Sequence, residues 1–168
     1  MKRVMIIGQP GSGKSTLARL LGEKTGLPVY HMDQIHWMSG WVERARTEKI
    51  ALAMEVQNSD TWIFEGGLGA TKEHRLLRCD TLINLDFRLW LRAWRVGKRT
   101  FLHYGRTRPD LPDGCPEQVS FEFWKWIWDT REKNRLANLR WMEEAGPHVT
   151  VHHLCSPAQV SRFLDGVV

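Results

Sequence analysis

Residues Gly8 to Thr16 read G-Q-P-G-S-G-K-S-T and follow directly on the apolar run Val4-Met5-Ile6-Ile7. Gly8, Gly13, Lys14 and Ser15 fill the pattern G-x-x-x-x-G-K-[ST], and each fixed position has a mechanical reason. Glycines let the backbone adopt conformations closed to other residues and bring its N–H groups close to an anion. Together with Pro10, Gly11 and Ser12 they make a loop whose N–H groups open onto the first turn of a helix. Unpaired donors and the helix dipole both favour negative charge there. Lys14 reaches the terminal phosphates of a nucleotide, the Ser15 hydroxyl is placed to ligate Mg²⁺, and Thr16 extends the helix start. The chemistry these residue types predict is the binding of ATP with Mg²⁺.

Such a loop works only between a buried strand and a helix, and both flanks have that character. Leu17, Leu20 and Leu21 recur at helical spacing, with Gly22 or Gly26 to end the helix. Further strands are predicted at Val29-Tyr30-His31-Met32, ending at Asp33; at Trp62-Ile63-Phe64, stopping at the turn Glu65-Gly66-Gly67; at Thr81 to Leu85, ending at Asp86; and at His148 to Leu154. Helices are predicted over Glu43–Asn58, with Ile50, Leu52, Met54 and Val56 as apolar cover, and over Phe87–Tyr104, Phe121–Met142 and Ala158–Leu164. A helix or loop runs through Lys72 to Arg78. Gly105 to Gln118, with Pro109, Pro112, Gly114 and Pro116, is a loop. Strands alternating with helices imply a three-layer α/β fold around a parallel sheet of five strands, whose ligands sit beyond the carboxyl ends of the strands.

That rule gathers the loop from Gly8 onward, Asp33, Glu65, Asp86 and the Ser156 turn. Asp33 and Glu65 each suit a hydrogen bond to a Mg²⁺-bound water or removal of a proton from a hydroxyl acceptor, with capping of the next helix as the alternative. Asp86 precedes a helix and suits an N-cap. Arg88, Arg92, Arg95 and Arg99 step by four, three and four, one stripe on a helix; beside a phosphate loop, guanidiniums that clamp phosphates are the better reading than a solvated face. Arg131 and Arg135 lie four apart on a Trp-rich helix, where stacking on tryptophan without a ligand is an equal alternative. Trp124, Trp126, Trp128 and Trp141, with Phe121, Phe123 and Ile127, are expected to pack that helix against the body. Trp37 and Trp41 follow Asp33 in a polar stretch, where they either wall a substrate pocket or serve no ligand. The histidines show no metal-ligand spacing.

The chain has 168 residues, 42% hydrophobic and 26% charged, which fits one soluble domain with no linker, repeat or low-complexity tract. No apolar run approaches membrane-spanning length, no signal peptide is evident, and the expected location is cytoplasmic. Cys79, Cys115 and Cys155 lack C-x-x-C spacing and read as free thiols. The net charge of +5 is concentrated between Asp86 and Arg108. A duplex-DNA binder needs an outward recognition element, and this stripe better suits the phosphates of a bound nucleotide.

Longer segments carry a resemblance. The phosphate loop, H-M-D-Q-I-H-W at 31–37, G-W-V-E at 40–43, W-I-F-E-G-G at 62–67, D-F-R-L-W-L-R-A-W-R-V-G-K-R-T at 86–100 and G-R-T-R-P-D at 105–110 resemble the DNA topology modulation proteins, which are similar to adenylate kinases. Over nearly the full chain, the resemblance to nucleoside monophosphate kinases implies roles for matching positions. Arg95 covers the adenine, Arg99 contacts phosphate at the start of a mobile lid over roughly 101–121, and Arg131 and Arg135 grip the transferring phosphoryl group. Asp33 and Glu65 are strand-end acids near Mg²⁺, and Ser156-Pro157 is the adenine-side loop. The acceptor side departs from the pattern. Much of the group has Asp-Gly-Asn where this chain has Glu65-Gly66-Gly67. Leu68, Gly69 and Ala70 stand where adenylate kinases carry an acceptor-binding arginine, leaving Arg75 as the nearest candidate.

The function this predicts is Mg²⁺-assisted phosphoryl transfer from ATP to a small nucleotide or another small hydroxyl or phosphate acceptor, by a monomer or homodimer. Lys14, Asp33, Arg99, Arg131 and Arg135 are the catalytic candidates, and Ser15, Glu65 and Asp33 the metal candidates. The alternatives are a nucleotide-switched regulatory or DNA-associated ATPase, and a binding module without turnover.

Overall fold

The computed structural model describes residues 1–167. The phosphate loop is preceded by β1 (Arg3–Gly8) and followed by α1 (Lys14–Thr25). β2 (Val29–His31) leads into the short α2 (Met32–His36) and a small antiparallel hairpin of β3 (Trp37–Met38) and β4 (Val42–Glu43). Then come α3 (Arg46–Asn58), β5 (Trp62–Glu65), α4 (Lys72–Arg78), β6 (Thr81–Leu85) and α5 (Leu89–His103). After a long irregular connection, α6 (Phe121–Glu143), β7 (Thr150–Leu154) and α7 (Pro157–Asp165) complete the chain.

Five strands form one parallel sheet in the order β2-β5-β1-β6-β7. β1 is central, in register with β5 from Arg3↔Trp62 to Ile6↔Glu65 and with β6 from Val4↔Thr81 to Gly8↔Leu85. A central parallel strand is covered on both faces, which is why Val4 to Ile7 is continuously apolar and at most 2% exposed. The two-residue alternation of a strand then sorts the core. Met5, Ile7, Trp62, Phe64 and Leu82 face α3, α4 and α6, while Val4, Ile6, Ile63, Ile83 and Leu85 face α1 and α7. The crossover from β1 runs to β2 on one side, while the one from β5 passes β1 to β6 on the other, so the carboxyl end of β1 lies at the switch of strand order, where open α/β sheets bind ligands.

Four expectations are corrected. Strand β2 stops at His31, and Met32 already begins α2, so Asp33 sits in a helical first turn and not at a strand end. Helix α3 fully buries Lys49, Ala53 and Gln57, while Val56 packs at the core's edge and Ile50, Leu52 and Met54 are half-buried; the buried stripe follows i, i+4, i+8, and the polar members are paired, Lys49 with Glu43 (2.5 Å) and Gln57 with Thr71 (2.9 Å). On α6 only Ile127 is fully buried; Trp141 packs on the core as expected, but Phe121, Trp126 and Trp128 are 77, 46 and 57% exposed and do not. Asp86 does not cap α5, whose N-cap is Arg88.

The connection from Tyr104 to Ser120 has no helix of its own, which gives the expected lid region an irregular middle. It is held by two isolated bridges, Tyr104↔Glu117 and Thr107↔Pro116, and it lies on the hairpin. Gly40 N–H donates to Gly114 O (2.9 Å), Trp41 Nε1 to Pro116 O (3.1 Å), the Cys115 thiol to Met38 O (3.2 Å) and Gln34 Nε2 to Pro109 O (2.8 Å).

Candidate active site

The loop from Gly8 to Gly13 leaves the carboxyl end of β1 and enters α1 at Lys14. Its backbone is forced by its neighbour. A Cβ on Gly11, whose φ is +77°, would lie 2.9 Å from Val96 Cγ2 and would strike the Arg92 carbonyl, so α5 packs flush against the loop. Arg92, 3% exposed, fastens that contact: its Nε donates to Phe87 O (3.1 Å) and its Nη1 to Pro10 O (3.4 Å). Ser12 is buried with its hydroxyl unpartnered, and the Lys14 ammonium crosses the loop to Gln9 O at 3.3 Å. An orphaned hydroxyl and a lysine on a ring of loop amides are the donor set for an anion such as a phosphate chain. Thr16 is exposed on the first turn of α1.

Glu65, 2% exposed at the end of β5, is the hub of the next layer. Its Oε1 accepts from the Ser15 hydroxyl (3.0 Å) and lies 2.9 Å from His31 Nδ1 at the end of β2. Hydroxyl and carboxylate oxygens are the hard donors that Mg²⁺ takes, so Ser15 and Glu65 fit the ion the loop implies. Burial alone would lower the His31 pKa; the Glu65 hydrogen bond and the charges of Glu65, Asp110 and Asp33 reverse that and raise it. Asp33 is solvent-exposed, yet the wall of the mouth crowds it, and that crowding and then Glu65 raise its pKa against the pull of Lys14. Its carboxylate carries no hydrogen bond or ion pair among the described residues.

The arginines divide. Arg95 lies over the loop, its Nη1 donating to Ser12 O (3.1 Å) and its guanidinium 4.9 Å from the Phe87 ring centre. Arg99 turns towards the irregular connection, where buried Glu117 takes Arg99 Nη2 at 3.3 Å, Arg108 Nε at 2.8 Å and the Thr100 hydroxyl at 2.9 Å. Arg108 is also paired with Asp110 at 2.6 Å. Arg88 is exposed and lines the recess at Arg131 and Arg135, so the predicted stripe splits: Arg92 is a brace, Arg95 lies over the loop, Arg99 turns to the connection and Arg88 to the recess. Arg131 and Arg135 flank a recess of about 280 Å³ bordered by Gln9, Asp86, Phe87 and Arg92. The Arg131 guanidinium stacks on Trp128 (4.1 Å) and donates to Trp128 O (2.5 Å), while Gln9 donates to the Arg131 carbonyl. Arg135 holds Asp86, with Nη2 at 2.9 Å and Nε at 3.0 Å from its oxygens. Both guanidiniums therefore have partners in this conformation. The Ser156-Pro157 turn lies beside Asp86: Asp86 N–H donates to Leu154 O (3.0 Å), and Ser156 caps α7 by accepting from Gln159 N–H (3.3 Å).

Arg75, the candidate acceptor arginine, is 0% exposed. It stacks on Phe64 (4.1 Å) and donates to Gly66 O (2.6 Å), and burial drops its pKa to about 10. It braces the Gly66-Gly67 turn from behind.

No family model and no curated protein matches the chain, whereas many solved structures do. It is similar to a shikimate kinase from Acinetobacter baumannii solved with shikimate, at TM-score 0.64 and 14% identity over 98% of this chain and 89% of that one. A shikimate kinase from Bacteroides thetaiotaomicron gives 0.57 and 15% over 98% and 94%. An unliganded sugar kinase from a Janibacter species gives 0.53 and 16% over 98% and 93%. The chain has the fold of the P-loop kinases.

Within that P-loop kinase fold, one mouth brings together Lys14, Ser15, Asp33, Glu65 and Arg95, with Arg99 reached through Glu117. Sequence reasoning missed His31, Arg108, Asp110 and Glu117. His31 stands in the quoted H-M-D segment and meets Glu65 through the parallel register of β2 with β5, whereas Arg108 and Asp110 stand in G-R-T-R-P-D, on the connection that docks on the hairpin. Glu117 lies amid proline and glycine and carried no periodic signal.

Proposed function

We propose that the protein is an ATP-dependent kinase that transfers a phosphoryl group to the hydroxyl of a small molecule. The observation that carries this reading is the junction at Glu65: the Ser15 hydroxyl of the phosphate loop and His31 of the acceptor-side strand meet on one buried carboxylate oxygen, beside an unpaired Asp33. A binding module needs the loop alone; a kinase also needs a base facing it across the metal site.

In this reading the loop amides and Lys14 would hold the donor phosphates, and Ser15 with Glu65 would hold Mg²⁺. When bound, the ion neutralises charge on the phosphates. Asp33 is the base: it accepts the proton of the acceptor hydroxyl as that oxygen bonds to the γ-phosphorus and ADP leaves. Glu65 is engaged by Ser15 and His31, and Asp33 is free. Arg95 and Arg99 offset charge on the donor, and the 104–120 connection is the lid that excludes water. Arg131 and Arg135 join them once they leave Trp128 and Asp86. The neighbours named shikimate kinase and sugar kinase act, by name, on small molecules, which agrees with this reading. The motif resemblance to DNA topology modulation proteins concerns the same residues. The basic stripe supports a small ligand over DNA, because Arg92, Arg95 and Arg99 turn inward.

The test is acceptor-dependent ADP release by the purified protein, abolished in Lys14→Ala. ATP binding with no stimulation by any acceptor sinks the kinase reading, and DNA-dependent ATPase activity that falls steeply with salt favours the switched ATPase.

A further inference from the structure

The kinase reading leaves the acceptor open, and the charges around the acceptor side bear on it. On the flank of β2 a recess of about 320 Å³ opens between α2 and α3, lined by Tyr30, His31, Gln34, Glu55 and Ser59 with Ile35, Leu52 and Val56. His31 joins it to the Glu65 junction. No lysine or arginine lines it, and Glu55 gives it a negative charge. The mouth above adds three carboxylates close enough to act on His31, those of Glu65, Asp110 and Asp33.

Five cations near the acceptor side already have partners. Arg75 is fully buried behind the Gly66 turn. Arg108 is held by Asp110 and Glu117, and Arg99 by Glu117. Arg44 donates to Ile35 O (2.9 Å) and pairs with Glu48, and Lys49 pairs with Glu43. Arg46 is exposed and lines neither recess. Lys14 belongs to the donor phosphates. A phosphate or carboxylate on the acceptor would therefore lose its hydration among like charges with no guanidinium fork to receive it.

The remaining surface has a different chemistry. Trp37 and Trp41 pack edge to face with ring centres 5.5 Å apart, and His36 packs on Trp37 at 4.6 Å. Trp41 is the one non-glycine residue with positive φ among the described residues, at +62°, and its Nε1 is tied to Pro116 O. The aromatic faces of the hairpin after α2 offer apolar contact to C–H faces, and the recess offers a carboxylate, an amide and hydroxyls to O–H groups, with no lysine or arginine among them.

We propose that the acceptor is a non-anionic polyhydroxy compound of the sugar or cyclitol class, and not a nucleoside monophosphate or a hydroxy acid. The inference rests on the kinase reading and names the substrate of that same site.

Matched acceptors test it. ADP release and phosphorylated product are measured for the full-length protein with hexoses, pentoses and inositols, and in parallel with their carboxylate counterparts and with nucleoside monophosphates. At least one neutral polyol is expected to exceed every anionic acceptor by about tenfold or more in kcat/KM. Its KM should change less than about twofold between 0.05 and 0.5 M salt, since no charge on the acceptor is screened. Trp37→Ala should raise the polyol KM about tenfold while leaving the KM for ATP unchanged. Turnover above the Lys14→Ala background with anionic acceptors alone overturns the acceptor class and leaves the kinase reading standing. No acceptor-stimulated ADP release in either set overturns both.

Discussion

Glu117 is the residue whose removal should most clearly expose the mechanics of the connection over the mouth. Its side chain is 6% exposed and takes Arg108 Nε at 2.8 Å, Arg99 Nη2 at 3.3 Å and the Thr100 hydroxyl at 2.9 Å. Glu117→Gln keeps the shape and an acceptor for Thr100 but removes the charge that two partly buried guanidiniums share. Breaking a buried pair by removing one partner costs about 3–5 kcal/mol. Arg99 and Arg108 are 27% and 13% exposed and recover some hydration, and Asp110 still holds Arg108, so the lower figure applies. The loss should fall on the 104–120 segment and not on the whole fold, because the Glu117 contacts tie that segment to α5 while the five-stranded sheet is untouched.

About 3 kcal/mol is roughly a 100-fold rise in the population of the open segment. Arg106 is exposed and lies within it, so limited trypsinolysis reads that population: cleavage after Arg106 should accelerate about 100-fold, with the thermal midpoint moving far less. Thr100→Val is the control. It removes one neutral hydrogen bond, worth about 1 kcal/mol, and should accelerate cleavage only about fivefold. Equal rates for the two variants, or an unchanged rate for Glu117→Gln, would refute the claim that shared charge holds the segment down.

Four further outcomes are expected. His31 has a raised pKa, so its contribution to stability is present below the unfolded value of about 6.5 and fades as pH rises through the folded value above it; the urea-midpoint deficit of His31→Gln should be larger at pH 6 than at pH 9, and a deficit that grows with pH contradicts the assignment. Gly11 and Gly26 share a left-handed φ near +75°, but only Gly11 is crowded; Gly26→Ala should cost about 1 kcal/mol from strain alone and Gly11→Ala several times that, with loss of ATP binding, by thermal unfolding and titration. Ser15→Ala should erase the Mg²⁺ dependence of ATP affinity, and an unaltered Mg²⁺ response would remove Ser15 from the metal site. Asp33→Asn should lower kcat about 10²–10⁴-fold with ATP affinity kept, and the wild-type kcat should fall on the acid side through a pKa above the ordinary 3.8.

The strand–loop–helix unit around Gly8 to Thr16 was legible in the chain because it is local. Gly8 to Thr16 carries its own geometry, and the flanking apolar strand and leucine-spaced helix follow from periodicities that need no tertiary knowledge. All five sheet strands were likewise readable, since β1 is an unbroken apolar run and β5 and β6 are short, mostly apolar segments bounded by turn residues. What failed was polar burial. Arg75 and Arg92 look like surface cations in any periodic reading, yet both are buried as braces, one behind the Gly66 turn and one beneath the phosphate loop. Asp86 occupies a cap-like position but is claimed by Arg135, which lies 49 residues away. Such pairings depend on which elements meet, and no local spacing encodes them. The same holds for the Trp-rich α6, where burial was inferred from hydrophobicity although the helix crosses the mouth with much of its aromatic face in solvent.

The connection and the hairpin are better understood as one device than as two. Trp41 sits at a positive φ that costs a β-unbranched aromatic residue about 1–2 kcal/mol, and the strain is borne only while its indole donates to Pro116 and Gly40 donates to Gly114. Lifting the connection removes both contacts and, with them, the reason for Trp41 to keep that conformation. Opening therefore releases the Trp37–Trp41 wall and the Arg99–Glu117–Arg108 cluster together. An acceptor that stacks on the wall and a donor that engages Arg99 then favour the same closed arrangement, so each should bind more tightly in the presence of the other. In the proposed kinase reading, a pocket built this way would admit its acceptor when open and, once closed, would shield the transferring phosphoryl group from water. Water is the competitor that a hydroxyl-specific kinase must exclude.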